Sequence, residues 1–333
     1  MLQKIMLIRG AIMLSLMLVQ GGVLADTGFE RRPEVQAFMH EMNQRHHMGM
    51  TALQKLFAGV SVQEKILAAM ERPAEAKPWY AYRKLLVTDT RLQNGLGFWQ
   101  AQSEWLERAE IRYGVPARMI VAILGIETSY GQNTGNYRVV DALSTLAFAY
   151  PRRAAFFRKE LEQFLILCRD EGMDPAVPNG SYAGAMGLPQ FMPSSFRTYA
   201  VDMDGDGRRD IWNSPADAIG SVAKYFMANG WEHGEPVVVA AQMAADRGMS
   251  ARSGGSMKPD ATLADLAIQG VTPQSRPLRI ARAHLFSLEE ENGLSWWLSL
   301  NNFYVITRYN HSPLYAMAAW ELGEKMAAKR SDL

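Results

Sequence analysis

A mainly α fold (α+β) with a small β-containing part is what this 333-residue chain predicts, on three observations. Apolar residues recur at helical spacing in the N-terminal third, as in Phe38 and Met42 and in Leu53, Leu56 and Phe57. Residues 100–112 are an unbroken run of good helix formers. After Trp231 the tone changes to the β-branched string Pro236-Val237-Val238-Val239-Ala240. Hydrophobic residues make up 48% and charged residues 21%, a globular balance that excludes a disordered or fibrous chain.

Residues 1–25 stand apart. Lys4 and Arg9 form a short positive region, an apolar run follows from Ala11 to Val19, and Val23-Leu24-Ala25 ends in small residues suited to a signal peptidase. The run is short beside the roughly 20 residues of a membrane span, so a cleaved export signal is expected rather than an anchor. No cysteine lies nearby to take a lipid; the single Cys168 reads as a buried apolar side chain. The formal charge is +1, or −1 without Lys4 and Arg9, which argues against a nucleic-acid partner.

Residues 30–105 read as a helical lobe with breaks at Pro33, Pro73 and Pro78. Tyr113-Gly114-Val115-Pro116 then turns into an apolar helix, with Pro116 in its first turn and Gly131 as its stop. Helices follow at 143–148 and 154–168, separated by Tyr150-Pro151, and at 216–229, stopped by Gly230. Residues 235–290 form a small α+β lobe with a loop at 252–256. Trp296-Trp297-Leu298-Ser299-Leu300 and Phe303-Tyr304-Val305-Ile306-Thr307 both read as strands, and residues 315–326 as the closing helix.

Within this frame the chemistry centres on Glu127, a lone carboxylate at the end of an otherwise apolar helix. Burial beside hydrocarbon disfavours the charged form and keeps such a group protonated nearer neutral pH, fit to act as an acid. A glutamate on a solvated helix end is the plain alternative. Three features accompany it. The loop from Gly180 to Phe196 is rich in Gly, Ala and Ser, which lets backbone approach a ligand. In it Gln190 offers an amide suited to sugar hydroxyls and N-acetyl groups, and Met186 and Phe191 offer apolar surface for a sugar face. Arg308-Tyr309-Asn310-His311-Ser312 is a polar cluster after an expected strand, and Arg152 and Arg153 sit at a helix start where the dipole does not favour cations, which suggests an anionic partner.

A further motif lies at 202–217. Asp202, Asp204 and Asp206 occupy positions 1, 3 and 5 of an EF-hand-like calcium loop, Gly207 position 6, and the Arg208 carbonyl position 7. Position 12 is Asn213, so the closing acid falls to Asp217 in a longer loop, with Asp210 as a further or water-mediated ligand. An acidic surface turn is the alternative.

Gly125-Ile126-Glu127-Thr128, Tyr150-Pro151-Arg152-Arg153, Gly184-Ala185-Met186-Gly187 with Gln190-Phe191-Met192-Pro193-Ser194-Ser195, and Ile306-Thr307-Arg308-Tyr309-Asn310 together resemble the B-type lytic murein transglycosylases, periplasmic enzymes that cut peptidoglycan. The likeness runs from about residue 30 to the end in the same motif order. It implies a lysozyme-like helical core at 106–234 containing the EF-hand-like loop, a helical lobe at 30–105, the small lobe at 235–290, and a return of 291–333 to the core and helical lobe.

The resemblance also implies a reaction. Glu127 would protonate the bond between N-acetylmuramic acid and N-acetylglucosamine, then act as base while the muramic acid C6 hydroxyl closes a 1,6-anhydro ring. Hydrolytic glycosidases use two carboxylates, and no second one shares a motif with Glu127; Asp141 is the next along the chain. By the same resemblance Tyr82, Ser181, Gln190, Tyr309, Asn310 and Tyr315 line the cleft, and Arg152 and Arg153 meet the peptide or lactyl carboxylate side. Phe156 stands where the family has a tyrosine, which removes one hydrogen bond. A structural calcium and no catalytic cofactor are implied. Peptidoglycan strands are the partner, with cell-wall synthesis proteins as possible others, and the mature protein is soluble in the periplasm. A muramidase of the same fold and a non-catalytic wall-binding scaffold are the alternatives.

Overall fold

Residues 117–128 form a helix buried on every side, and the rest of the chain is packed around it. The computed structural model describes residues 28–71, 77–244, 255–275 and 282–331; residues 1–25, where an export signal is expected, Pro73 and most of the loop expected at 252–256 lie outside them. The helical lobe comprises α1 (Pro33–His46), α2 (Met50–Ala58), α3 (Glu64–Met70) and α4 (Trp79–Leu86). Pro33 opens α1 in its first turn and Pro78 caps α4, so both prolines start helices. The expected helix over 100–112 is divided at Gln102 (φ −112°, ψ 21°) into α5 (Asp89–Ala101) and α6 (Ser103–Tyr113).

The buried helix is α7 (Ala117–Thr128). Met119 to Leu124 are inaccessible, as a helix apolar all round requires. Pro116 is its cap residue rather than part of its first turn, and the Glu110 carboxylate accepts the Ala117 N–H at 3.0 Å. It ends one turn earlier than Gly131 would place it. Ser129 (φ 51°) and Tyr130 (φ 63°) take the left-handed conformation directly after the Glu127 turn. The Tyr130 hydroxyl enters a slot in which a Cβ at Gly125 would stand 2.4 Å from it, and donates to the Arg91 carbonyl at 2.9 Å.

Strand β1 (Tyr137–Arg138) leads into α8 (Val139–Ala149), and α9 (Ala154–Asp170) follows a short turn; β1 pairs antiparallel with β2 (Asn179–Gly180). After α10 (Pro193–Tyr199) and the acidic loop comes α11 (Pro215–Ala228), which packs with α5 and α6 around α7. The small lobe is an antiparallel sheet of β3 (Val238–Met243), β4 (Ala261–Thr262), β5 (Val271–Pro273), β6 (Arg282–Glu290) and β7 (Gly293–Ser299), in the order β4-β6-β7-β3-β5, with α12 (Leu263–Ile268) between β4 and β5. The Trp296 segment is a strand as expected, and because it pairs with β6 and β3 the sheet runs on to Ser299.

The strand expected at 303–307 is instead part of helix α13 (Asn301–Tyr309). Asn302 fixes its start, with its side chain accepting the Glu232 N–H at 2.8 Å and donating to the Glu232 and Glu235 carbonyls. Phe303 and Ile306, one turn apart, fall on its buried face. Helix α14 (Pro313–Ser331) closes the chain against α7, nearest at Gly323, where a Cβ would lie 3.0 Å from the Arg118 carbonyl.

Candidate active site

Glu127 occupies the last turn of α7 with part of its side chain still accessible. Tyr315, in the first turn of α14 and 3% exposed, donates its hydroxyl to Glu127 Oε1 at 2.5 Å. The α13–α14 junction sets that tyrosine: Asn310 Oδ1 accepts the Ser312 N–H at 3.1 Å, and Ser312 Oγ accepts the Tyr315 N–H at 3.4 Å. Burial pushes the Glu127 carboxyl up to about 7, against the opposing pull of the Tyr315 hydrogen bond, which favours the carboxylate. Burial and the nearby Glu127 raise the Tyr309 and Tyr315 hydroxyls well above the usual tyrosine range, so both remain donors at neutral pH. Tyr82, on α4, is close enough to Tyr315 to add to that rise. Asp141 is not a second carboxylate for this centre, because Arg138 holds both its oxygens at 2.7 and 2.8 Å.

The loop over residues 180–191 is tied down by five hydrogen bonds. Thr128 Oγ1, next to Glu127, donates to the Leu188 carbonyl at 2.9 Å. The Tyr309 hydroxyl donates to the Pro189 carbonyl. Leu188 N–H donates to the Ile211 carbonyl at 2.8 Å. Gln190, in the left-handed region at φ 51°, donates its amide to the Gly187 and Thr134 carbonyls at 2.9 and 3.1 Å. The amide therefore holds the loop together, and its oxygen is the part left to accept from a ligand. Ser181 Oγ likewise accepts the Ala185 N–H at 3.1 Å, closing the turn it begins.

Two expectations about this loop are overturned. Met186 is inaccessible and pairs with Gly180 and Phe191 in isolated bridges, so it offers no face to a sugar. Phe191 is 2% exposed and packs among Tyr199, Tyr225 and Tyr309. Both are foundation for the loop rather than its surface.

Arg152 and Arg153 are exposed on the turn between α8 and α9 and form no ion pair among the described residues. Arg153 lies over the rings of Phe156 and Phe157, at 4.5 and 5.2 Å from their centres, so the Phe156 ring supports the guanidinium as a flat surface. Neither arginine touches the group around Glu127. The residues whose part the sequence did not reveal are Thr128 and Ile211; the signal for the first was a threonine directly after the carboxylate of an apolar helix.

In the acidic loop, carboxylate oxygens of Asp202, Asp204 and Asp217 lie within 4.8 Å of one another. Asp217 is 1% exposed and receives the Met203 and Asp210 N–H groups at 2.7 Å each. Even so, burial raises its carboxyl, helped by Asp204 and Asp202. An oxygen-only set of carboxylates, buried at Asp217, half-buried at Asp202 and exposed at Asp204, fits a hard divalent cation. Asp206 lies outside the group, with its oxygen on the Arg208 N–H at 2.8 Å. Asp210 also lies outside the group, its oxygens accepting from Trp212 and Asn213.

Residues 30–324 match the family described as the transglycosylase SLT domain. The chain is 42% identical over 312 residues to the membrane-bound lytic murein transglycosylase B of Escherichia coli (strain K12), across 91% of this chain and 85% of that protein. The crystal structure of a soluble lytic transglycosylase from Pseudomonas aeruginosa superposes with a TM-score of 0.85 at 48% identity, covering 90% of this chain and 100% of that one. An Escherichia coli lytic transglycosylase solved in complex with calcium gives 0.84 at 43% identity, over 91% and 95% of the two chains. These likenesses bear out the mainly helical, lysozyme-like architecture.

Proposed function

Because this chain belongs to the transglycosylase SLT domain family, we propose that it is a peptidoglycan lytic transglycosylase in which Glu127 alone moves the protons. The observation that carries this reading is a carboxyl raised to about 7, bonded to a tyrosine hydroxyl and, among the described residues, without a second acid beside it. In its protonated form Glu127 gives its proton to the oxygen joining N-acetylmuramic acid to N-acetylglucosamine, and the bond from that oxygen to the muramic C1 breaks. The carboxylate so formed takes the proton of the C6 hydroxyl as O6 bonds to C1. No water is consumed, the acid is regenerated, and the product ends in a 1,6-anhydro ring. An internal nucleophile removes the need for the second carboxylate of ordinary glycosidases. Tyr315 holds the carboxyl in place throughout, and its hydrogen bond stabilises the charged form midway.

Tyr82, Ser181, the Gln190 oxygen, Tyr309 and Asn310 line the cleft in this reading, and Arg152 and Arg153 meet the carboxylates of the peptide side. Calcium would be held by Asp202, Asp204 and Asp217 with the Arg208 carbonyl, where it would supply charge neutralisation to the loop and no part of the reaction. The mature protein works in the periplasm after loss of residues 1–25. Among the described residues no helix is long and apolar enough to cross a membrane.

The test is mass spectrometry of purified peptidoglycan digested by the protein, with Glu127→Gln as control. Anhydro-muramic ends from wild type and none from the variant are expected. Reducing ends carrying one added water would overturn the internal nucleophile in favour of a muramidase.

A further inference from the structure

Thr128 is 1% exposed and uses its hydroxyl twice. The oxygen accepts the Gly131 N–H at 3.0 Å, and the single proton faces the Leu188 carbonyl at 2.9 Å, nearer than the Leu124 carbonyl of its own helix at 3.3 Å. The acceptor lies 60 residues on, in the loop that carries Ser181 and Gln190. From the other side the Ile211 carbonyl receives the Leu188 N–H at 2.8 Å. Gly187 lets that approach happen, because at its φ of 63° a Cβ would stand 2.5 Å from the Ile211 oxygen. One residue of the substrate loop, Leu188, is thus gripped at both its backbone N–H and its carbonyl, by the residue beside Glu127 and by the acidic loop.

We propose that Thr128 is a positioning residue of the active site, one jaw of a clamp on Leu188 whose other jaw is Ile211, setting the substrate loop against Glu127. Threonine is required for its hydroxyl and not for its bulk. Helix α7 by itself gains nothing from a polar group there, since side-chain bonding back to the preceding turn is neutral to unfavourable inside a helix. The clamp also links the acidic loop to the helix that carries Glu127, through the Leu188 backbone and the Thr128 hydroxyl.

This inference rests on the proposed function for its kinetic arm only. Thr128→Val keeps the shape and removes the hydroxyl; Thr128→Ser keeps the hydroxyl. In the full chain, kcat on peptidoglycan should fall about ten- to a hundredfold in Thr128→Val, the scale of a misplacement near 1 Å, with a much smaller change in KM. Thr128→Ser should stay within about threefold of wild type, the margin of a retained hydrogen bond. Backbone amide exchange at Leu188 should quicken about tenfold in Thr128→Val while Ile123 in α7 is unchanged, as expected of local rather than global opening. If Thr128→Val does not fold, Gly187→Ala opens the other jaw and should give the same pair of signatures. Unchanged kcat in Thr128→Val, or Thr128→Ser as impaired as Thr128→Val, overturns the proposal. Should wild type not act on peptidoglycan, the reaction assignment fails and Leu188 exchange decides alone: faster exchange keeps the clamp, unaltered exchange removes it.

Discussion

At the scale of single residues, the contest at Glu127 is between burial, which favours the neutral acid, and the Tyr315 hydroxyl, which favours the carboxylate; burial wins, leaving the group near 7. Removing the hydroxyl in Tyr315→Phe should raise the carboxyl further, so the alkaline limb of the kcat/KM profile moves to higher pH. A move to lower pH would mean that the hydroxyl serves the neutral acid instead. The same shift bears on stability. Folded, the carboxyl keeps its proton to about 7; unfolded, to the ordinary 4.5. Its contribution is complete below the lower value and is lost as pH rises through the upper one. Glu127→Gln cannot ionise, so its stability relative to wild type should grow with pH across that window, by on the order of 3 kcal/mol. Denaturant unfolding at the two ends of the window checks this, and a constant difference between the proteins would refute it. Glu127 was legible in the sequence because an isolated carboxylate in an apolar helix has few reasons to be there. That Tyr315 bonds it was not derivable from spacing, since the two are 188 positions apart. Met186 misled because a methionine among glycines looks like surface until the loop folds over it.

At the scale of elements, the acidic loop joins α10 to α11 and delivers Asp217 into the first turn of a helix that packs against α7. Three carboxylates gathered within 4.8 Å repel one another, and a bound cation would offset that repulsion. Calcium at a hundred times its dissociation constant should therefore add about 2.7 kcal/mol. Stripping it with a chelator should lower the unfolding midpoint in calorimetry, and Asp217→Asn should blunt that response. A midpoint indifferent to calcium in stripped wild type would remove the ion from this loop. The Asp spacing made the loop legible, but not which acids converge, because convergence depends on how the loop folds back on α11 to bring Asp217 beside Asp202 and Asp204. Helix α13 shows the reverse failure. Phe303-Tyr304-Val305-Ile306-Thr307 has strand propensity, yet Asn302 and the buried face of Phe303 and Ile306 hold it helical. Tertiary packing overrides local preference where the two disagree. Helices α7, α9 and α11 were legible because their periodicity and their packing agree.

At the scale of the whole molecule, the described residues form two apolar clusters of very different size. The larger runs without interruption from Phe29 to Met326, through the helical lobe, α7 and α14. Phe38 shows how: its ring meets Phe57 within the lobe, Phe148 of α8 at 5.9 Å, and the Arg158 guanidinium of α9 at 5.0 Å. The smaller cluster has eight buried residues, Leu285 and Leu298 among them, and lies within the sheet. A shared core makes the helical lobe and the catalytic helix one cooperative unit; one face of the sheet joins it through Val238, Phe286 and Leu288, while the opposite face, with Leu285 and Leu298, rests on the smaller cluster. Phe38→Ala should cost about 3–5 kcal/mol and lower amide protection in α1 and α7 alike. Leu285→Ala should loosen β6 and β7 and leave α7 amides as protected as before. Native-state hydrogen exchange separates these outcomes. Loss of protection confined to α1 after Phe38→Ala would show the lobe folding on its own account. Protection lost in α7 after Leu285→Ala would show that the sheet, too, carries the helix on which Glu127 stands.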